Sequence, residues 1–279
     1  MDVKQMWVDI VDTANNAIER DESDFVKNGL LYCGKCKTPK QAHIELFGEV
    51  FEPLCLCKCA TEKRDRENTE RLRRVRLEYL QKMRKEAFPD ASLEGCSFDR
   101  DDTSNVRVSN IARRYVENFD EMRRRGKGLL FYGTVGTGKT FISACIANAL
   151  IDKYYPCLVT NISRLTNTIS GMFDGKQAYI DGLNRYELLV IDDLFSERDT
   201  EYVGEIVMQV IDSRYRAGLP LIVTTNISAD ELKNPSDIRR QRIYSRLLEM
   251  CVPVEVKGAD RRKAKLKDDY GELKEMLGL

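Results

Sequence analysis

Between residues 128 and 256 the chain alternates short apolar runs with longer amphipathic stretches. The runs are GLLFYG (128–133), PCLVTNI (156–162), ELLVIDD (187–193), LPLIVTTN (219–226) and CVPVEV (251–256). Strands buried on both faces read as continuous Leu, Ile and Val, and the helices between them supply the cover. The pattern therefore predicts an α/β domain with a five-stranded parallel sheet flanked by helices, over about residues 90–279. The first 28 residues differ: Met6, Ile10, Val11, Ala14 and Ile18 recur on roughly one face, which predicts a short amphipathic helix. Residues 29–60, punctuated by Gly34, Pro39, Gly48 and Pro53, are too turn-rich to build much apolar core. Residues 61–86 are mostly charged, with Leu72, Val75, Tyr79, Leu80 and Met83 as a thin stripe. Mixed signs and a sparse stripe predict a solvated helix joining two domains, with a nucleic-acid contact by its arginines as the alternative. The expected division is a small module over 1–60, a charged helical linker over 61–89 and the α/β domain over 90–279.

Composition adds exclusions. With 279 residues, 42% of them hydrophobic, the chain supports a substantial core. Lys plus Arg and Asp plus Glu each total 45, so bulk charge does not draw the molecule to nucleic acid or to acidic membranes, and any basic site is local. The start MDVKQMWVDI lacks an export signal, and no run of about 18 apolar residues occurs, so a cytoplasmic protein without a membrane partner is expected.

Gly133-Thr134-Val135-Gly136-Thr137-Gly138-Lys139-Thr140 fits the phosphate-binding pattern G-x-x-x-x-G-K-[ST], between an apolar strand and the helical FISACIANALI. Glycines let such a loop turn its N–H groups to phosphates, and the helix N-terminus adds its positive end. Lys139 is expected at the β- and γ-phosphates and Thr140 on Mg²⁺. Downstream, LLVIDD ends a strand in two carboxylates. Asp192 can hold the Mg²⁺ shell, and Asp193 can orient or deprotonate an attacking water. LIVTTN would bring Thr224, Thr225 and Asn226 beside the γ-phosphate if its strand lies between the other two. In IRRQRIYSRLLEM, Ile243, Leu247 and Met250 form an apolar face. Arg239, Arg240, Arg242 and Arg246 opposite it are expected to be exposed, available to complete a neighbour's site.

Nine cysteines in a chain without an export signal point to metal or free thiols. Cys33-Gly-Lys-Cys36 is one knuckle, and Cys55-Leu-Cys57-Lys-Cys59 offers three more thiols at a spacing suited to tetrahedral Zn²⁺. Cys57 and Cys59 are the favoured second pair, with Cys55 as the substitute and His43 as a further candidate. A redox role is the rival, against which stands the lack of a βαβ pattern around the knuckle. Cys96, Cys145, Cys157 and Cys251 read as small core residues.

The motifs GTVGTGKT, LLVIDD, IVTTN and RIYSRL, in this order and spacing, resemble the AAA+ ATPases of the bacterial helicase-loader type, the DnaC and DnaI proteins, and the related IstB transposition helpers. The resemblance covers about residues 90–279, and the cysteine module with its charged helix is similar to the N-terminal part of phage and Gram-positive loaders. It implies an ATPase, slow and stimulated by single-stranded DNA, that self-associates and whose N-terminal module grips the replicative helicase. By motif it makes Lys139 and Thr140 Walker A, Asp192 and Asp193 Walker B, Asn226 sensor 1 and Arg246 the arginine finger. Arg261 or Arg262 matches sensor 2. Two departures stand out. Asp193 replaces the usual glutamate with a chain one methylene shorter, and the residues after the last strand are too few for a helical lid domain, which loaders of this type commonly lack. A transposase helper on duplex DNA and a non-hydrolysing nucleotide switch are the competing readings.

Overall fold

The computed structural model describes residues 20–46, 48–102, 104–195, 200–235 and 237–261, with scattered positions towards either terminus. The chain divides into two compact units, Met1–Glu78 and Tyr79–Leu279.

In the first unit, strand β1 (Phe25–Lys27) pairs antiparallel with β2 (Leu30–Tyr32), and β3 (Ile44–Leu46) with β4 (Glu49–Phe51). Asn28 and Gly29, at φ +52° and +82°, make the turn of the first hairpin. An Asn-Gly pair adopts this left-handed turn readily, and it matches the twist of paired strands. The described positions among residues 5–13 are helical, as the apolar spacing predicts, but the helix does not extend to residue 28, because the chain is already strand β1 at Phe25. The described apolar core of this unit is small: Cys33, Leu54 and Cys57. Beside them lies a buried ion pair. Lys40 Nζ stands 2.5 Å from Asp24 Oδ2, and Asp24 Oδ1 accepts the Gly34 N–H at 3.1 Å, tying the first cysteine knuckle to the β1–β2 hairpin.

Helix α1 (Lys58–Ala87) crosses from one unit to the next. Every residue from Glu62 to Tyr79 is exposed, whereas Leu80, Met83 and Ala87 are buried, so only its last turns contribute to a core.

The second unit is a parallel sheet of β5 (Gly128–Tyr132), β6 (Cys157–Asn161), β7 (Leu188–Leu194), β8 (Leu221–Thr225) and β9 (Cys251–Glu255), in the order β6-β7-β8-β5-β9. Its helices are α2 (Val106–Glu117), α3 (Phe119–Arg124), α4 (Lys139–Asp152), α5 (Ile162–Ser170), α6 (Lys176–Gly182), α7 (Glu201–Arg216), α8 (Ala229–Lys233) and α9 (Ile238–Met250). Successive strand residues face opposite layers. Leu129, Phe131 and Val190 join the core under α2 and α4, and Leu130, Leu189 and Ile191 the core under α5, α6, α7 and α9. Arg214 of α7 is fully buried and donates to the carbonyls of Tyr186 at 2.6 Å, Glu187 at 3.0 Å and Pro220 at 3.0 Å. It thereby staples the helix to the starts of β7 and β8. Because β8 lies between β7 and β5, the C-terminal ends of three strands converge on one edge, where open α/β sheets place their ligands. No helix among the described residues is long and apolar enough to cross a membrane.

Candidate functional site

The loop from Gly133 leaves β5 and enters α4 at Lys139. Gly133, Gly136 and Gly138 have φ of +130°, +78° and +92°, a region that side chains rarely adopt. Space is also short. A Cβ on Gly133 would lie 2.6 Å from the carbonyl oxygen of Val256, and one on Gly138 3.1 Å from the guanidinium carbon of Arg261. Lys139 is buried inside the curl, its Nζ donating to the carbonyls of Gly133 at 2.9 Å and Thr134 at 2.7 Å. Thr137 Oγ1 donates to Thr134 at 2.9 Å and closes the loop on itself.

Opposite this loop stand the two acids. Asp192 Oδ2 accepts from Thr140 Oγ1 at 3.0 Å, and Asp192 Oδ1 from Thr224 Oγ1 at 2.6 Å. The same Thr224 oxygen accepts the backbone N–H of Asp193 at 2.8 Å, and Asn226 Nδ2 donates to Asp193 Oδ1 at 2.6 Å. Burial pushes the Asp192 carboxyl above the usual carboxylate range. The Thr224 and Thr140 hydroxyls oppose that shift and the neighbouring Asp193 charge adds to it. A buried carboxylate beside a second acid gains from a cation. Hydroxyl and carboxylate oxygens at Thr140 and Asp192 are the hard donors Mg²⁺ takes, and a glycine loop at a helix N-terminus suits phosphates.

Lys139, Thr140, Asp192, Asp193, Thr224 and Asn226 line one cavity of about 600 Å³, together with Val135, Gly136, Thr137, Gly138 and Arg261. Other expectations need correction. Thr225 is turned away, its hydroxyl donating to the Leu194 carbonyl at 2.8 Å, because consecutive strand residues face opposite ways. Of the four arginines on α9 only Arg242 is exposed. Arg240 is ion-paired with Glu231, and Arg239 donates to the Thr200 carbonyl at 3.4 Å. Arg246 lies over the Tyr215 ring at 4.3 Å, with Asp212 3.2 Å and Glu249 3.8 Å away. Arg261 lies in the cavity, its N–H donating to the Gly136 carbonyl at 3.0 Å and its guanidinium pairing with Asp102 at 3.2 Å. Arg262 lies outside the described residues.

In the first unit, the sulfurs of Cys33, Cys36, Cys57 and Cys59 all lie within 4.8 Å of one another. Cys33 and Cys59 are 3.7 Å apart and Cys57 and Cys59 3.4 Å. A tetrahedron with Zn–S bonds of about 2.3 Å has edges of about 3.8 Å, so these thiols fit that ion. The Thr38 hydroxyl beside Cys36, 3.0 Å from its sulfur, holds that thiol down to about 5. Hydrogen bonds to Cys57, Cys36 and Cys33 push Cys59 up to about 12. Cys55 stands apart, its sulfur 3.8 Å from the Pro39 carbonyl, and His43 pairs with Glu52 at 3.3 Å.

Three placements were not read from the sequence. Phe173 is 99% exposed on the loop after α5, and Tyr202, at the start of α7, is 41% exposed with Lys176 6.0 Å over its ring. The signal for Phe173 was present in Gly171-Met-Phe-Asp-Gly175, a turn with a large aromatic at its tip. Cys96, with Leu93, lines the phosphate-loop cavity, unlike the buried Cys145, Cys157 and Cys251.

Comparison with known proteins agrees with this geometry. The model of the IstB-like ATP binding protein family matches residues 61–268. The replicative helicase loader DnaI of Bacillus subtilis (strain 168) is 27% identical over 198 residues, which is 65% of this chain and 63% of that protein. The replicative helicase loader DnaC of Escherichia coli (strain K12) is 25% identical over 146 residues, 50% of this chain and 58% of the relative. The chain thus spans about three fifths of the length of these relatives. A crystal structure of DnaI superposes with a TM-score of 0.52 at 21% identity, covering 61% of this chain and 96% of that one, which establishes a shared fold. With a parallel sheet in the order β6-β7-β8-β5-β9, a phosphate loop facing paired acids and a family match over most of its length, the chain belongs to the IstB-like ATP-binding protein family and is homologous to the DnaI and DnaC loaders.

Proposed function

We propose that the protein is an ATP-dependent loader of a replicative DNA helicase that acts on single-stranded DNA. The observation that carries this reading is the joining of Thr140, Asp192 and Thr224 in one hydrogen-bonded row across the mouth of the phosphate loop. In it the glycine loop and Lys139 bind the ATP phosphates, Thr140 and Asp192 hold Mg²⁺, and Asn226 positions Asp193 to accept the proton of an attacking water. Bound Mg²⁺ supplies charge compensation for the phosphates. Arg261 takes the sensor 2 role, reaching the phosphates from over Gly138.

Assembly belongs to the same reading. Arg246 completes the site of an adjacent copy, which requires it to leave Asp212 and Tyr215. Phe173, Tyr202 and Lys176 offer exposed rings with a nearby cation, the surface on which single-stranded bases stack. The four-cysteine unit binds one Zn²⁺ through Cys33, Cys36, Cys57 and Cys59 and presents the helicase-binding surface. The names of DnaI and DnaC support the loader over the transposase helper.

The test is transfer of the host's ring helicase onto circular single-stranded DNA coated with its binding protein. Helicase recovered on the circles only with this chain and ATP, and not with Lys139→Ala, is expected. Equal recovery with the Lys139→Ala protein, or none with the native chain, would refute the reading.

A further inference from the structure

Strand β7 ends in unusual backbone. Asp193 has φ +54° and Phe195 φ +67°, with the pairing to β8 shifting between Ile191 and Leu194. For a bulky aromatic residue a positive φ is an outlier, and it persists only where neighbours hold it. Asp193 is held from β8, through Thr224 and Asn226. Phe195 is held from α9. The guanidinium carbon of Arg240 lies 5.4 Å from the centre of its ring, and the Tyr244 ring meets it edge to face at 5.5 Å and 85°. The Arg240 guanidinium is itself paired with Glu231, and the backbone N–H of Arg240 donates to Asp237 Oδ1 at 2.8 Å, capping the helix.

The preceding arginine repeats the grip further along the chain. Arg239 donates to the Thr200 carbonyl at 3.4 Å and covers Gly204 so closely that a Cβ there would sit 2.5 Å from its Cδ. Adjacent arginines at the start of α9 therefore hold Phe195 on one side of residues 196–199 and Thr200 on the other. The same helix carries Arg246, and Tyr202 lies two residues after Thr200.

We infer that Phe195 is a positioning residue for Asp193. Gripped by Arg240 and Tyr244, its ring fixes the left-handed turn that aims the Asp193 carboxylate, so a shift of α9 is felt at the acid. Phe195 is not among the residues that line the phosphate-loop cavity, so it acts only through that turn. The inference rests on the hydrolytic reading above and goes beyond it. It makes turnover depend on the position of the arginine-bearing helix.

Phe195→Gly tests it in the full-length chain, since glycine takes φ +67° freely and the variant keeps its backbone while losing the ring. ATP affinity within about twofold of native is expected, with KM little changed and DNA-stimulated kcat lower by about tenfold, equivalent to about 1.4 kcal/mol in the barrier. Phe195→Tyr keeps an aromatic ring for Arg240 and should restore kcat. A Phe195→Gly protein with native kcat, a fall in affinity matching the fall in kcat, or no rescue by tyrosine overturns the inference. If the native chain shows no turnover, the hydrolytic reading falls first and this inference with it. If native turnover is normal and Phe195→Gly matches it, only the inference falls.

Discussion

Thr224 donates its hydroxyl hydrogen to Asp192 Oδ1 across 2.6 Å, and through its second contact, with the Asp193 N–H at 2.8 Å, it joins the two acids at the end of β7. Thr224→Val keeps the shape and removes both bonds. A hydrogen bond to a charged group contributes about 1.5–3 kcal/mol, and an unsatisfied buried carboxylate oxygen is costly. Denaturant unfolding should show a loss in that range, with Mg²⁺-dependent nucleotide binding weakened; an unchanged midpoint would show that Thr224 does not support the acids.

Lys139 carries the second prediction. Replacing it with alanine removes a charge-assisted phosphate contact of about 1.5–3 kcal/mol, hence roughly 10- to 150-fold in ATP affinity by calorimetry. The lysine also holds its own loop through the Gly133 and Thr134 carbonyls, so a modest drop in melting temperature should accompany the loss. Unchanged affinity would place the nucleotide elsewhere.

Asp192 gives a pH dependence of defined sign. Burial raises its carboxyl pKa in the folded state above the unfolded value, so the folded state binds that proton more tightly. The resulting stabilisation is complete below the unfolded pKa and is lost as pH rises through the folded one. At neutral pH without Mg²⁺ the ionised Asp192 therefore destabilises the fold. Asp192→Asn should melt higher than native at pH 7, and the gap should narrow as pH falls through the raised folded-state value towards the unfolded one of about 3.9. A variant that melts lower than native at pH 7 would contradict this balance.

The sheet was legible because its strands are continuous apolar runs, and the loop because its glycines are spaced by the geometry they must adopt. The order of the strands was not: the place of LIVTTN between the other two strands was only a condition in the sequence, and the pairing of β8 with β7 and β5 meets it. Less legible was anything decided by partners distant in sequence. Nothing in IRRQRIYSRLLEM marks Arg240 for Glu231 and Phe195, or Arg246 for Tyr215 and Asp212, and periodicity alone made all four arginines look exposed. Thr224 and Thr225 are chemically alike, and strand alternation sends one hydroxyl to Asp192 and the other to the Leu194 carbonyl. The hairpin at Asn28-Gly29 was not read from the sequence: the helical spacing ends at Ile18, and the strands on either side of the turn are only three residues long.

Among the cysteines, Cys57→Ser should abolish stoichiometric zinc and unfold the small unit, since metal binding there is largely folding energy. Cys55→Ser should retain one Zn²⁺ per chain by elemental analysis, because Cys55 points to the Pro39 carbonyl rather than to the cluster. Zinc lost in Cys55→Ser and kept in Cys57→Ser would reverse the assignment.

Arg214 tests the scaffold. Burial pushes its guanidinium down to about 10, and it serves the carbonyls of Tyr186, Glu187 and Pro220. Arg214→Met leaves those acceptors buried without their donor, at a cost of about 3 kcal/mol in denaturant unfolding. A loss below about 1 kcal/mol would mean that water replaces the guanidinium.

The most direct test of the account is phosphate release from ATP by the native chain and by Asp193→Asn, each with and without single-stranded DNA. The hydrolytic arrangement predicts slow turnover that rises with DNA in the native protein. In Asp193→Asn, ATP affinity should be preserved and turnover lost, because the amide accepts no proton from the attacking water. Native-level turnover in Asp193→Asn, or none in the native chain with DNA present, would contradict it.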